Sequence, residues 1–396
     1  MRMRNHRLDI LRGAAVLLVL LRHSGWQAPI AKVGWVGVDL FFVLSGYLVS
    51  GLVFDEYVKY GAVSFRRFLW RRALRIYPPF YAMLVLALLL FAQRGWPIPV
   101  HAFVCEGLYI QNYGNSLWGH TWSLAVEEQF YLLLAGGLYF LLRRGPWQTH
   151  VGLQMAPGDV FRRIPLIFGL IAISCLAVRV ATVCGAFCRL SVEADAWRHV
   201  YFQTHTRLDA LAFGVFLSFV TRFRRDWLAP FTATQHRRTW TALCASALVV
   251  GVTRFPLESR FMTTVGFSFL YLAFGGFVLF AARGGAHETK GVAWLSTAVG
   301  KCFAALGVYS YSIYLWHVPF NDYAAVVVRR IFHWDMNVPV QIVFFITGGI
   351  AIGIVMALLV ELPVLRLRDR YWPSSKRPRS SRHLVPVLEG QNPSPI

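Results

Sequence analysis

The sequence predicts an all-α polytopic membrane protein with about ten transmembrane helices and both termini in the cytoplasm. Three observations carry this. Charged residues make up only 15% of the 396-residue chain, against roughly 25% in soluble globular domains. Hydrophobic residues reach 56% and mean hydropathy is positive. Apolar runs near the length of one helical crossing, about 20 residues, recur from end to end. The chain also carries 40 Lys and Arg against 19 Asp and Glu, a net charge of +21. In a soluble protein that excess would suggest nucleic acid. Here it reads as basic loops on one side of a bilayer, and no nucleic-acid partner is expected.

The first span, 8–24, holds Arg12, then nine apolar or glycine residues, then Arg22 and His23. Arg12 and His23 are 11 residues apart. That is about 20° past three turns, so both lie on one helix stripe, about 16 Å apart along the axis. The second span, 35–54, carries Asp39 in an otherwise apolar run, with Gly37, Ser45 and Gly46 small enough for close helix contact. The third, 77–93, follows Arg66, Arg67, Arg71, Arg72 and Arg75. Arg72 and Arg75 share a face at i, i+3, and two guanidinium forks so placed suit a phosphate. The polar, aromatic stretch 101–118 is a candidate re-entrant segment.

The fourth span, 122–142, opens TWSLAVEEQFYL and brings adjacent Glu127 and Glu128. Successive helical residues point about 100° apart, so one of the two faces a given cavity, and Glu127 is favoured. Spans at 164–184, 207–220, 239–254, 262–282, 303–320 and 339–362 complete the ten. The sixth contains Arg207 and Asp209, the ninth ends near His317, and the tenth places Glu361 before Pro363.

Loop charge tests this layout. With the N-terminus inside, the cytoplasmic segments hold 28 Lys and Arg and the opposite side 7, as the positive-inside rule demands of an even number of spans. Residues 1–372 then form one transmembrane unit, and 373–396, rich in Pro, Ser and Arg, a disordered basic tail. The six cysteines form no zinc-like CxxC pair and read as small buried hydrophobes, so no metal is expected. No signal peptide is evident.

Ionisable groups inside a bilayer are costly and mark function or internal pairing. Two schemes fit this set. One is a proton relay in a proton-coupled transporter. The other is a buried acid/base site reached by a phosphate-bearing substrate.

Six motifs in order favour the second scheme. They are Arg12 with His23, GVDLFFVLSGYL at 37–48, RRALRIYP at 71–78, TWSLAVEEQFYL at 121–132, RLDALAFG at 207–214 and YSIYLWH at 311–317. Together they resemble the acyltransferase-3 family of integral membrane acyltransferases over about residues 7–372. The resemblance implies an inner-membrane bacterial enzyme with no resident cofactor. It would move an acyl group, commonly acetyl, from cytoplasmic acyl-CoA to a sugar hydroxyl of a surface polysaccharide, lipid-linked glycan or glycoside. It implies that Arg12 and His23 are the family's paired arginine and histidine, and that Arg72 and Arg75 match its cytoplasmic RxxR. Leu362 stands where the family often has a basic residue, which leaves Glu361 without an assigned role.

On this reading Arg12, Arg72 and Arg75 clamp acyl-CoA, and His23 is the general base, suited by an ordinary pKa near 6.5. Asp39 or Glu127 would orient it. Trp122 or Ser123 could supply an oxyanion donor. Arg207, Asp209 and His317 would serve the acceptor or support the site. Direct transfer and a covalent acyl-histidine both remain open.

Overall fold

The computed structural model describes residues 5–143, 157–185, 196–232, 234–283, 297–332 and 337–373. The basic tail expected at 373–396 lies outside the described residues except for Pro373. Every regular element among the described residues is helical. In chain order these are α1 (His6–His23), α2 (Pro29–Lys32), α3 (Val36–Tyr60), α4 (Phe65–Arg94), α5 (Val100–Gly107) and α6 (Trp122–Arg143). There follow α7 (Pro157–Val160), α8 (Ile164–Val183), α9 (Ala196–Phe202), α10 (Leu208–Phe223), α11 (Ala229–Thr232) and α12 (Thr234–Arg254). The last are α13 (Phe267–Arg283), α14 (Ala298–Val308), α15 (Ser310–Phe332), α16 (Val338–Met356) and α17 (Leu362–Tyr371).

All ten expected spans coincide with helix. Among the described residues, six helices are long and apolar enough to cross a membrane: Val36–Tyr60, Phe65–Arg94, Trp122–Leu142, Gly158–Val183, Met262–Ala282 and Val338–Tyr371. The other four spans fall short for visible reasons. Helix α1 carries Arg7, Asp9, Arg12 and Arg22 within 18 residues, and α10 has only 16. The apolar part of α12 covers only Thr239–Arg254, and the span expected at 303–320 is divided at Tyr309 between α14 and α15. The expected re-entrant stretch is the eight-residue α5 followed by turns, too short to cross.

Helix α3 is the centre of the bundle: 78% of its apolar stretch is buried, against 11% for the stretch containing α8. It packs along α10 on one side and α1 on the other, and α1 packs along α14. Glycines make both approaches possible. Gly46 of α3 and Gly214 of α10 each face the other helix's backbone, and Gly13 and Gly307 do the same between α1 and α14. A methyl at any of the four would overlap a carbonyl, so no other residue fits. On the periphery Leu88, Leu89, Leu132, Leu133, Leu166, Ile173 and Val249 are exposed. Such an apolar surface suits lipid, where helices satisfy their own backbone groups.

Local chemistry sets the helix ends that matter. Asn5 caps α1 through Arg7 N, and Ser64 caps α4 through Arg67 N. At 30 residues, α4 is about 45 Å long, more than the roughly 30 Å hydrocarbon core, so it projects its arginine-rich start beyond the apolar zone. It runs through Pro78 and Pro79, which bring no N–H. Beside that gap the Tyr311 hydroxyl donates to the Ile76 carbonyl at 2.7 Å, tying α15 to α4.

Candidate functional site

Facing the Arg12 end of the bundle is a cavity with about 920 Å³ of empty space. Arg12 of α1, Arg72 and Arg75 of α4, and Glu127 and Glu128 of α6 all line it. The three arginines come from two helices that both line this cavity. The i, i+3 spacing brings Arg72 and Arg75 onto one wall, as their sequence positions require. The Arg72 guanidinium lies over the Tyr131 ring, 4.0 Å from its centre. Glu127 accepts from Ser45 Oγ at 3.0 Å and from the Tyr131 hydroxyl at 2.7 Å. Both glutamates reach the same cavity, contrary to the expectation that only one could. It is wide enough to meet two adjacent directions of α6. Glu128 is buried, is hydrogen-bonded by the Tyr77 hydroxyl, and keeps its Oε1 without a partner.

Ser123 and Tyr314 line the cavity where it comes nearest the histidines. The Tyr314 hydroxyl donates to the His120 carbonyl at 2.8 Å, so its oxygen accepts from Ser123 Oγ at 2.6 Å. Immediately behind stand three imidazoles. His317 Nε2 is 3.0 Å from His23 Nδ1. The His120 ring centre is 5.0 Å from that of His317 and 6.5 Å from that of His23. His120 and His317 are fully buried, whereas His23 is exposed. The Tyr314 ring is 5.6 Å from His120, 5.7 Å from His317 and 6.0 Å from Phe41, which also lines the cavity. One layer of aromatic rings thus separates the arginine-lined cavity from the imidazoles.

His120 is held by the loop before α6. Glu106 accepts from Thr121 Oγ1 at 2.7 Å and from Leu117 N at 3.1 Å, and Gln111 donates to the Thr121 carbonyl at 2.9 Å. Near this loop, the ring of exposed His205 stacks on Tyr113, and partial burial lowers its pKa below the ordinary histidine range.

The other expected site residues lie elsewhere. Asp39 does not touch His23. It is buried against Arg207 at 2.5 Å, and the Arg207 guanidinium lies 3.7 Å from the Phe267 ring centre. Asp209 pairs with Arg179 at 2.8 Å, and Arg179 also donates to the Thr206 carbonyl and Ser268. These two ion pairs form a closed knot between α3, α8, α10 and α13. Trp122 packs against Tyr201, Phe202 and Phe42 and does not line the cavity, so it offers no oxyanion donor there. Ser123 does line it. Of the two carboxylates expected to orient His23, neither reaches it; His317 occupies that position instead. Glu361 accepts from Ser312 Oγ at 2.6 Å, away from the cavity lining.

Sequence reasoning passed over His120, Glu128, Tyr314 and Arg179. His120 and Tyr314 stand inside or beside quoted motifs. Arg179 is a lone charge in an apolar run, which is itself a signal of pairing. Among the described residues no three His, Cys, Asp or Glu side chains stand in metal-binding geometry.

Comparison with known proteins bears on this arrangement. Residues 5–358 match the family model described as an acyltransferase domain. Over 334 residues the chain is 29% identical to the peptidoglycan O-acetyltransferase OatA of Listeria monocytogenes, covering 79% of this chain and 48% of that protein. Over 335 residues it is 28% identical to the O-acetyltransferase OatA of Staphylococcus aureus, covering 79% of this chain and 50% of that protein. The chain thus spans about half the length of these curated relatives. No solved structure matches it.

Proposed function

The chain belongs to the acyltransferase-3 family of membrane enzymes that transfer acyl groups, and on that premise we propose that it moves an acetyl group from acetyl-CoA to a sugar hydroxyl. The donor enters at the Arg12 end, which faces the cytoplasm. The acceptor approaches the exposed His23 end from the opposite side of the bilayer. Peptidoglycan fragments are the first acceptor to try, because one similar protein is named for acting on peptidoglycan.

One observation carries the reading: three arginines line a single cavity whose Tyr314 packs against His120 and His317, and His317 in turn meets His23. Arg12, Arg72 and Arg75 would hold the donor's phosphates by charge-assisted hydrogen bonds. The flexible arm then runs toward Ser123 and Tyr314, and rotation of the Phe41 and Tyr314 rings admits the thioester to the imidazoles. His23 takes the acceptor hydroxyl proton as the oxygen attacks the thioester carbonyl. A carbon–oxygen bond forms, the carbon–sulfur bond breaks, and the thiolate recovers the proton from His23. Ser123, in the cavity lining, is the nearest candidate to stabilise the oxyanion.

The test is His23→Ala in proteoliposomes, with acetyl-CoA and peptidoglycan fragments as substrates and free thiol release as the readout. Turnover should fall by roughly 10²–10⁴ while the protein keeps its thermal unfolding midpoint. Wild-type turnover in that variant would reject His23 as the base. Uptake of a solute without thiol release would favour a transporter.

A further inference from the structure

Two backbone carbonyls fix the protonation pattern of the imidazole pair, because a carbonyl only accepts hydrogen bonds. His317 Nδ1 lies 2.6 Å from the Tyr314 carbonyl, so this nitrogen carries a hydrogen. In neutral His317, Nε2 therefore holds the lone pair. His23 Nδ1 lies 3.0 Å from the Val19 carbonyl and 3.0 Å from His317 Nε2. Both neighbours are acceptors, and one hydrogen on His23 Nδ1 serves them together. The unprotonated nitrogen of His23 is then Nε2, and no described residue is hydrogen-bonded to it. His120 follows the same rule separately. Its Nε2 donates to the Leu315 carbonyl at 3.2 Å, and its buried Nδ1 has no partner, so it offers His23 no competing proton.

We propose that His317 is a positioning residue: anchored through Nδ1 on the Tyr314 carbonyl, it accepts from His23 Nδ1 and leaves His23 Nε2 as the basic nitrogen. This rests on the reading of His23 as the base and names the group that orients it. A carboxylate does the same work beside histidine in hydrolases. Here both intramembrane carboxylates considered for the task are engaged, Asp39 by Arg207 and Glu127 by Ser45 and Tyr131. A neutral imidazole also orients its partner without placing another charge among buried apolar groups. In the transfer step the acceptor proton moves to His23 Nε2, and the Nδ1 hydrogen stays in place, donating more strongly to His317 while His23 is cationic. The thiolate then removes the Nε2 proton and the pair returns to its starting state. The titratable and charged neighbours of His23 are Arg22 on its own helix, His317 on α15, and His120 before α6.

Two variants and one direct measurement test the assignment. His317→Phe keeps a ring but removes both nitrogens, and His317→Gln restores an amide oxygen able to accept from His23 Nδ1. With acetyl-CoA and peptidoglycan fragments in proteoliposomes, His317→Phe should lower kcat by roughly 10²-fold, with KM for acetyl-CoA unchanged. His317→Gln should recover part of that loss. Nitrogen-15 NMR of labelled histidine in bilayers should find neutral His23 protonated at Nδ1 in the wild type and in His317→Gln. In His317→Phe the balance should move toward Nε2. Wild-type kcat in His317→Phe, or an Nε2–H His23 in the unmodified protein, overturns the proposal. The latter measurement needs no variant to fold. Wild-type turnover in His23→Ala would instead remove the underlying reading of the base, which separates the two failures.

Discussion

Two groups of charged side chains are buried in this bundle, and they are built in opposite ways. In the knot of Arg207 with Asp39 and Arg179 with Asp209, each charge meets its counter-charge at 2.5–2.8 Å and packs among aromatic rings. In the cavity, Arg12, Arg72, Arg75, Glu127 and Glu128 line one shared open space. Both groups break the rule that charges avoid the bilayer, yet only the second leaves room for a ligand. Intramembrane charge alone does not single out a candidate site; charge that lines a cavity does.

The contrast yields its largest expected effect in the knot. Arg207→Leu leaves Asp39 buried without its partner and should destabilise the protein by about 3–5 kcal/mol. A thermal melt in detergent reads this as a lowered midpoint and loss of folded protein. Asp39→Leu/Arg207→Leu removes both charges and should recover most of the loss, since replacing a whole buried pair is often nearly neutral. A double variant as unstable as the single one would break the comparison, because the pair would then do more than satisfy itself.

The cavity should respond differently. Arg72→Ala/Arg75→Ala should leave the unfolding midpoint near that of the wild type. It should raise KM for acetyl-CoA about 10- to 100-fold, the equivalent of one or two charge-assisted hydrogen bonds at about 1.5 kcal/mol each. An unchanged KM would remove these arginines from donor binding, and a collapsed midpoint would place them with the knot.

Where the chain's own periodicity or composition carries the information, the sequence already displays it. Ten apolar stretches became helices, and Arg12, Arg72 and Arg75 share one cavity, because spacing along α1 and α4 dictates which faces they occupy. Partner choice is different, since it depends on contacts between distant segments. His23 meets His317 from 294 residues away, and Asp39 meets Arg207 across 168. No local pattern separates an Asp that orients a histidine from one that neutralises an arginine. Both are single acids in an apolar run, and close packing at Gly46 and Gly214 decides which partner α3 meets. The spans that fall short of a full apolar crossing show the same limit. Helix α1 is charged and α10 short, and both pack along α3, a setting that hydropathy along one segment does not register.

The smallest effect tests the wall between the two ends of the site. Ser123 donates to the Tyr314 oxygen at 2.6 Å, because the Tyr314 proton is committed to the His120 carbonyl. Removing one neutral hydrogen bond costs about 1 kcal/mol, so Ser123→Ala should move the unfolding midpoint only slightly. Its kinetic signature sharpens the comparison further. If Ser123 turns its hydroxyl to the developing oxyanion, kcat falls about tenfold or more while KM for acetyl-CoA holds, the reverse of the arginine variants. A rise in KM with kcat intact would instead assign Ser123 to the donor-binding wall, and the site of acyl transfer would have to lie nearer the imidazoles than Ser123.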